Sequence, residues 1–378
     1  MTATAHAPER AVARIDLSAV ERNCAHLRSL LGGGAELCAV VKANAYGHGD
    51  VWCARAAQRG GASWLAVATA VEAAELRRHG VGGRILVLGA LAQADEAIAL
   101  EAGADVVAWR EGVANGLAER AAALGTRARV HVKLDTGMGR LGTSDPAEAG
   151  AVADRVARDE RLELVGLMSH FATADDAGEE HFGVQLDRFR AWVGETRMRH
   201  PGAIAHIANS AATYREPGSH FDLVRCGIAI YGLDPFQRDP DERGLEPALA
   251  LESYVAAIKR FEPGQSAGYG RTWRARGPTL VGVVPIGYGD GWRRVLSGKA
   301  DVLVRGRRRP QRGTVSMDSL TIDLGADAEV EEGDRAVLIG AQGGQRILCE
   351  EVALRSDTIN YEVTCGLTQR VRREHVEP

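Results

Sequence analysis

Lysine is almost missing from this chain of 378 residues: its 46 basic side chains are 42 arginines and only four lysines, Lys42, Lys133, Lys259 and Lys299. A guanidinium stays protonated and forms no imine under ordinary conditions, whereas a lysine amine does, so lysine chemistry has four candidate positions. Long apolar runs are missing too. None approaches the roughly 18 residues that a membrane helix needs, and the start, MTATAHAPER, lacks the apolar core of a secretory signal. Neither charge dominates: 46 basic residues face 50 acidic ones, a net −4, which excludes a globally basic nucleic-acid binder. The six cysteines form no CxxC pair, so reduced structural thiols in a cytoplasmic protein are expected. The histidines form no HExxH and no Cys/His group has zinc spacing, so no catalytic metal is expected.

What is present is ample core material, 45% hydrophobic and 25% charged residues, over a length suited to two domains. Eight short apolar runs recur between about residues 38 and 232: CAVVKA, WLAVA, RILVLG, ADVVAW, RVHVKLD, LVGLMSH, IAHIANS and LVRCGIAIYG. Helix-like stretches separate them. Ser18 to Glu21 and Thr69 to Glu72 both fit an S/T-x-x-E capping box, and VEAAELRRHG ends on basic residues and Gly80. Apolar strands alternating with helices imply a parallel sheet covered on both faces, and eight of them imply a closed (β/α)8 TIM barrel; an open doubly wound sheet is the alternative. From about Leu245 short strands between Gly and Pro turns replace the helical patterns. The expected organisation is a barrel over 14–244 and a mainly β C-terminal domain over 245–378, with 8–13 as a candidate extra strand of the second. The arginine run from Arg305 to Arg312 reads as a solvated hairpin.

Lys42 ends the first barrel strand, where barrel active sites lie, and apolar neighbours there would favour its neutral, nucleophilic form. The loops after strands seven and eight carry Asn209-Ser210 and Gly227-Ile228. Their hydroxyl, amide and unobstructed backbone N–H groups suit a phosphate. A lysine across the mouth from a phosphate cradle suggests pyridoxal 5'-phosphate held as an imine.

AVVKANAYGHG, VKLDTGMGRLG, SHFATAD, IANSAA, VRCGIAIYG, SAGYGRTW, PIGYGDG and SMDS resemble, in order and over about residues 38 to 365, the motifs of the alanine racemase family. The resemblance implies a fold-type III pyridoxal-phosphate enzyme, a head-to-tail homodimer with shared active sites that interconverts L- and D-alanine and supplies D-alanine for peptidoglycan. It implies that Lys42 carries the cofactor, that Tyr46, Asn209, Ser210, Gly227, Ile228 and Tyr361 hold its phosphate, and that His170 packs on its ring. Arg225 faces the ring nitrogen; as a permanent cation it disfavours protonation there and weakens the electron sink, which suppresses transamination.

Racemisation needs acid/base groups on both faces of Cα. By the resemblance these are Lys42, for the D-isomer, and Tyr269 of the second chain, for the L-isomer. A tyrosine hydroxyl titrates near pH ~10 in water, so a positive neighbour is needed, with Arg140 and His170 as candidates. Arg140 would also bind the substrate carboxylate. Lys133 matches a lysine that is carbamylated in some members, and Tyr288, Met317 and Asp318 match residues lining the substrate entrance. Cys226 and Gly268 depart from the family's more usual Pro and Ser, and Gly268 is expected to loosen the loop holding Tyr269. The competing readings are a non-catalytic pyridoxal-phosphate carrier, a broader serine racemase, and a fold-type III decarboxylase. The tyrosine-bearing β domain argues against the carrier, and Arg225 argues against the decarboxylase.

Overall fold

The eight apolar runs become eight parallel strands among the described residues, which are 9–326 and 329–377 of a computed structural model. Residues 8 and 378, the ends of two expected segments, and most of MTATAHAPER lie outside them. By its contacts the chain divides into two compact units, one of residues 20–230 and one that joins the N-terminal segment through residue 19 to the chain from 231 onward.

In the first unit the strands are β2 (Glu36–Val40), β3 (Trp64–Val67), β4 (Arg84–Val87), β5 (Val106–Ala108), β6 (Ala128–Lys133), β7 (Leu162–Met168), β8 (Ile204–His206) and β9 (Leu223–Cys226), preceded in the chain by β1 (Val12–Asp16). They form two four-stranded parallel sheets, β4-β3-β2-β9 and β5-β6-β7-β8. Backbone hydrogen bonds close both seams. Asp105 N donates to Ile85 O at 2.7 Å and Val87 N to Asp105 O at 2.9 Å; Asp222 N donates to Ala205 O at 3.1 Å and Arg225 N to Ala208 O at 3.0 Å. Closure rejects the open-sheet alternative: a doubly wound sheet keeps two free edges.

Helices follow the strands, among them α1 (Leu17–Ser29), α2 (Asp50–Arg59) and α3 (Ala70–Arg78). The capping box at α3 is present: Thr69 Oγ1 accepts from Glu72 N at 3.2 Å, and Glu72 Oε2 accepts from Thr69 N at 3.0 Å. The one expected at Ser18 is not. Asp16, one residue before α1, accepts from Ala19 N at 3.0 Å, and Glu21 instead pairs with Arg59. A carboxylate already placed at the helix start displaces the weaker serine hydroxyl.

The second unit is built on a long mixed sheet. Its strands after the barrel are β10 (Leu249–Tyr254), β11 (Ala257–Phe261), β12 (Ser266–Ala267), β13 (Trp273–Arg274), β14 (Thr279–Val284), β15 (Asp301–Val304), β16 (Arg307–Arg312), β17 (Leu320–Gly325), β18 (Arg335–Gln342), β19 (Gln345–Ile347) and β20 (Arg372–Val376). The order is β11-β14-β17-β16-β15-β18-β10-β1-β20. The N-terminal strand β1 is an interior member, antiparallel to β10 and parallel to β20. The arginine run is the β15–β16 hairpin, turning at Arg305 and Gly306 with φ of 48° and 72°. Two of its guanidiniums are paired with carboxylates, Arg305 with Asp334 at 2.7 Å and Arg308 with Glu351 at 2.6 Å. Two helices that the apolar pattern did not announce, Cys349–Arg355 and Asn360–Cys365, also belong to this unit.

The Thr69→Ala substitution is expected to cost about 1 kcal/mol, the ordinary worth of such a cap, read as a lower urea midpoint. Ser18→Ala should leave the midpoint unmoved, and an equal loss in both would contradict the placement of the α1 cap.

Candidate active site

Immediately after β2 the backbone does something that non-glycine residues rarely do. Ala43, Asn44, Ala45 and Tyr46 have φ between 52° and 54°, and Gly47 and Gly49 follow at 86° and 99°. Lys42 therefore opens a left-handed turn of four L-residues. Each such residue costs about 1–2 kcal/mol relative to a right-handed turn, or roughly 4–8 kcal/mol together, so the surroundings must hold it. Ala45 N donates to Val41 O at 2.9 Å and Gly47 N to Ala43 O at 3.0 Å. His48 Nδ1 lies 2.9 Å from Ala45 O, and Asn44 Oδ1 accepts from Asp50 N at 3.1 Å. Glu72 closes the set. While one oxygen caps α3, the other accepts from Ala43 N at 2.6 Å, tying the lysine loop to α3.

Around the same C-terminal rim the other strands bring their residues. Lys133 is the last residue of β6 and 5% exposed. The loop after it is organised by Asp135, whose carboxylate accepts from Gly137 N at 2.9 Å, Met138 N at 2.7 Å and Arg140 N at 3.1 Å. That loop ends with Arg140 exposed. His170 follows β7, and Gln185 fixes its loop by donating to His170 O at 3.0 Å and accepting from Ala172 N at 2.8 Å. Arg225 on β9 is buried. It donates to His206 Nδ1 at 2.5 Å, Ser169 O at 2.8 Å, His170 Nδ1 at 3.2 Å and Ile207 O at 3.3 Å.

After β8, Asn209 caps the short helix Ser210–Arg215 through Ala212 N at 3.0 Å. Ser210 Oγ accepts from Gly227 N at 3.0 Å and Ala229 N at 3.4 Å, joining the loops after β8 and β9. Gly227 has to be glycine: a Cβ there would sit 2.3 Å from the hydroxyl of Tyr46. The barrel unit thus gathers Lys42, Tyr46, Lys133, Arg140, His170, Asn209, Ser210, Arg225, Gly227 and Ile228 on one rim.

The remaining residues belong to the second unit. Tyr269 is 71% exposed, and the nearby Tyr288 and Met317 are also exposed. They gather on one loop: Thr314 Oγ1 donates to Tyr269 O at 2.8 Å, and Tyr288 N donates to Ser316 O at 3.0 Å. Asp318 pairs with Arg370 at 2.6 Å, and Tyr361 lies on the helix Asn360–Cys365. Gly268 has φ of 73°, and a Cβ on it would lie 2.9 Å from Thr314 O, so glycine lets the Tyr269 loop pack against Thr314. The thiol of Cys226, the other departure, lies 3.5 Å from Thr213 Oγ1.

The electrostatics of the rim is that of an anion site. Burial, then the charges of Arg225 and Arg140, push Lys133 down to about 8. Burial and the cations Arg225, Lys133, Arg140 and Lys42 hold His170 well below the usual imidazole range. Burial brings Arg225 down to about 10, which leaves it charged at neutral pH. A phosphate, a carboxylate and an amine-reactive aldehyde match this set of cations, the bare Gly227 backbone and the Ser210 bridge.

The model of the alanine racemase N-terminal domain matches residues 15–235, and that of the C-terminal domain matches 248–375. The chain belongs to the alanine racemase family. It is an isomerase with that family's activity, the racemisation of alanine. It is 42% identical over 363 residues to the alanine racemase of Symbiobacterium thermophilum, covering 96% of each chain, and 40% identical over 371 residues to alanine racemase 1 of Bacillus subtilis, covering 97% of this chain and 92% of that one. The crystal structure of alanine racemase from D-cycloserine producing Streptomyces lavendulae superposes with a TM-score of 0.93 at 38% identity, covering 99% and 98% of the two chains.

Several residues of the site escaped the sequence reading. Glu72 was legible as a cap but not as the anchor of the lysine loop. Asp135 signals itself only as an aspartate opening a glycine-rich loop. His131 and His206, buried inside the barrel beneath Arg225, show as histidines within apolar strand runs.

Three of these imidazoles set a pH limit. Burial holds His131, His170 and His206 below their ordinary value; Arg225 adds to this for His170 and His206, while Asp105 opposes it at His131. They are neutral in the fold and protonate once the chain opens. The stability they contribute is complete above pH ~6.5 and falls as pH drops below it, because the open chain then binds protons that the folded rings refuse. The thermal midpoint should therefore fall between pH 7.5 and 5.5, and a constant midpoint would contradict the neutral state of these rings.

Proposed function

We propose that the barrel rim holds pyridoxal 5'-phosphate on Lys42 and that the chain racemises alanine by a two-base route, as a homodimer whose copies complete each other's sites. The observation that carries this reading is Lys42 set on a constrained turn, among a cluster of cations and on the same rim as the bare backbone of Gly227. When bound, the cofactor withdraws the electron pair left on Cα when alanine gives up its proton.

The residues divide the remaining tasks. Ser210, Asn209, Tyr46 and the backbone at Gly227 and Ile228 hold the phosphate, with Tyr361. His170 packs on the ring. Arg225, permanently charged and a donor only, faces the ring nitrogen and keeps it from taking a proton. A fixed cation there would favour returning a proton to Cα over losing the amino group. Arg140 holds the substrate carboxylate. Lys42, once substrate has displaced it, moves the proton on the D face of Cα, and Tyr269 of the partner copy moves the one on the L face. The exposure of Tyr269 beside Tyr288 and Met317 supports this: that surface suits burial against a second copy, with Met317, Tyr288 and Asp318 narrowing the entrance. The crowded entrance suits a side chain no larger than a methyl. D-alanine made in the cytoplasm would supply peptidoglycan.

Lys133 has a second chemistry. Burial and the neighbouring cations bring its amine down to about 8, so an uncharged minority, roughly a tenth at pH 7, can add carbon dioxide, release a proton and become an anionic carbamate, a partner for Arg140. Intact mass measured gently in bicarbonate should show one carbon dioxide added, and an unmodified mass would contradict this.

The Tyr269→Phe substitution should slow solvent-deuterium exchange into L-alanine by about 10²–10⁴-fold, the scale of a positioned acid/base, while exchange into D-alanine through Lys42 persists. Undiminished exchange into L-alanine would refute the assignment.

A further inference from the structure

TIM-barrel interiors are dominated by branched apolar side chains. In this one a line of polar groups runs beneath Arg225. Arg225 Nη1 lies 2.5 Å from His206 Nδ1, His206 Nε2 lies 2.8 Å from His131 Nδ1, and His131 Nε2 lies 3.2 Å from Asp105 Oδ2. His206, His131 and Asp105 are fully buried. Asp105 precedes β5, at the N-terminal end of the barrel, where Arg84 Nη2 meets it at 2.5 Å and Arg129 Nε at 2.6 Å. The strands make room for the line. A Cβ at Gly166 would fall 2.3 Å from His131 Nδ1, and the β6–β7 register shifts between Val130 and His131. Trp64 meets the His131 ring edge-on, with centroids 5.7 Å apart.

Both ends dictate the direction of every hydrogen bond. A guanidinium only donates, so His206 Nδ1 carries no proton and the neutral ring keeps its proton on Nε2. That proton is given to His131 Nδ1, which leaves the proton of His131 on Nε2, facing Asp105. A carboxylate only accepts, so the far end demands the same polarity. Burial works against ionisation of Asp105, but His131, Arg84 and Arg129 outweigh it and bring the carboxyl down to about 2. The hydrogen-bond partners of Arg225 are two imidazoles and two carbonyls. The first carboxylate along its line of hydrogen bonds is Asp105, two rings away.

We propose that Asp105 is a positioning residue: through the fixed tautomers of His131 and His206 it acts as the relayed counter-charge of Arg225 and holds that guanidinium as a donor at the cofactor's ring nitrogen. This rests on the placement of Arg225 given above. Asp105→Asn is the revealing change. Its single acceptor oxygen must serve three donors, so its amide N–H₂ faces either Arg129 or the Arg84–His131 pair. Facing the pair, it turns His131 Nε2 into an acceptor, moves the proton of His206 to Nδ1 and sets two donors against each other at Arg225.

The test is ¹⁵N NMR of the holoenzyme, with labelled histidine in one sample and a ring-nitrogen-labelled cofactor in another. In the wild type both His131 and His206 should be neutral with the proton on Nε2; a proton on Nδ1 of either ring overturns the proposal, whether or not the variant folds. In Asp105→Asn, His206 should gain an Nδ1–H population and the ring-nitrogen signal should move. Unmoved signals there, with an unprotonated ring nitrogen in the wild type, overturn the role of Asp105 and leave that of Arg225 standing. A protonated ring nitrogen in the wild type overturns the placement of Arg225 itself.

Discussion

A guanidinium buried inside a barrel has to be compensated, and much of the first unit is arranged around that need. Taking an ion out of water costs several kcal/mol even after relaxation, and Arg225 meets that cost without a carboxylate in contact among the described residues. It uses two backbone carbonyls, the imidazoles of His170 and His206 and, through His206 and then His131, a carboxylate at the far end of the barrel. The arrangement leaves the guanidinium charged and its donors fixed, as a group that must never accept a proton requires. A carboxylate placed directly on Arg225 would neutralise the positive field that the proposed cofactor site draws on.

The second constraint is backbone strain. Four L-residues in the left-handed region directly after Lys42 are held by Glu72, Asn44 and His48. Strain of this kind persists where the surroundings over-determine it, and it aims a side chain more narrowly than a relaxed loop can. Glu72 caps α3 and ties down this turn with the same carboxylate, so local helix stability and the aim of Lys42 share one side chain.

The barrel was legible because its signals are local. Each strand is an apolar run of the right length, and Lys42 stands out through the scarcity of its residue type. The Thr69–Glu72 cap was legible for the same reason, since both partners lie within one turn. The Ser18–Glu21 box misled because a stronger acceptor, Asp16, stands just before it and the motif does not weigh its neighbours. The helices Cys349–Arg355 and Asn360–Cys365 are too short for their period to emerge. The Asp105–His131–His206 line joins three strands that are distant in the chain, and no spacing rule connects them. What looked like isolated histidines in apolar runs becomes a network only once the barrel closes.

A lysine on a strained turn, a guanidinium that cannot accept a proton and a tyrosine displayed on a second unit are together proposed to move one proton and nothing else. The direct test is chiral chromatography of L-alanine incubated with the purified full chain and pyridoxal 5'-phosphate. D-alanine should accumulate to an equal mixture with no pyruvate formed. Unchanged L-alanine, or pyruvate in place of the D-isomer, from protein that has taken up the cofactor would contradict it.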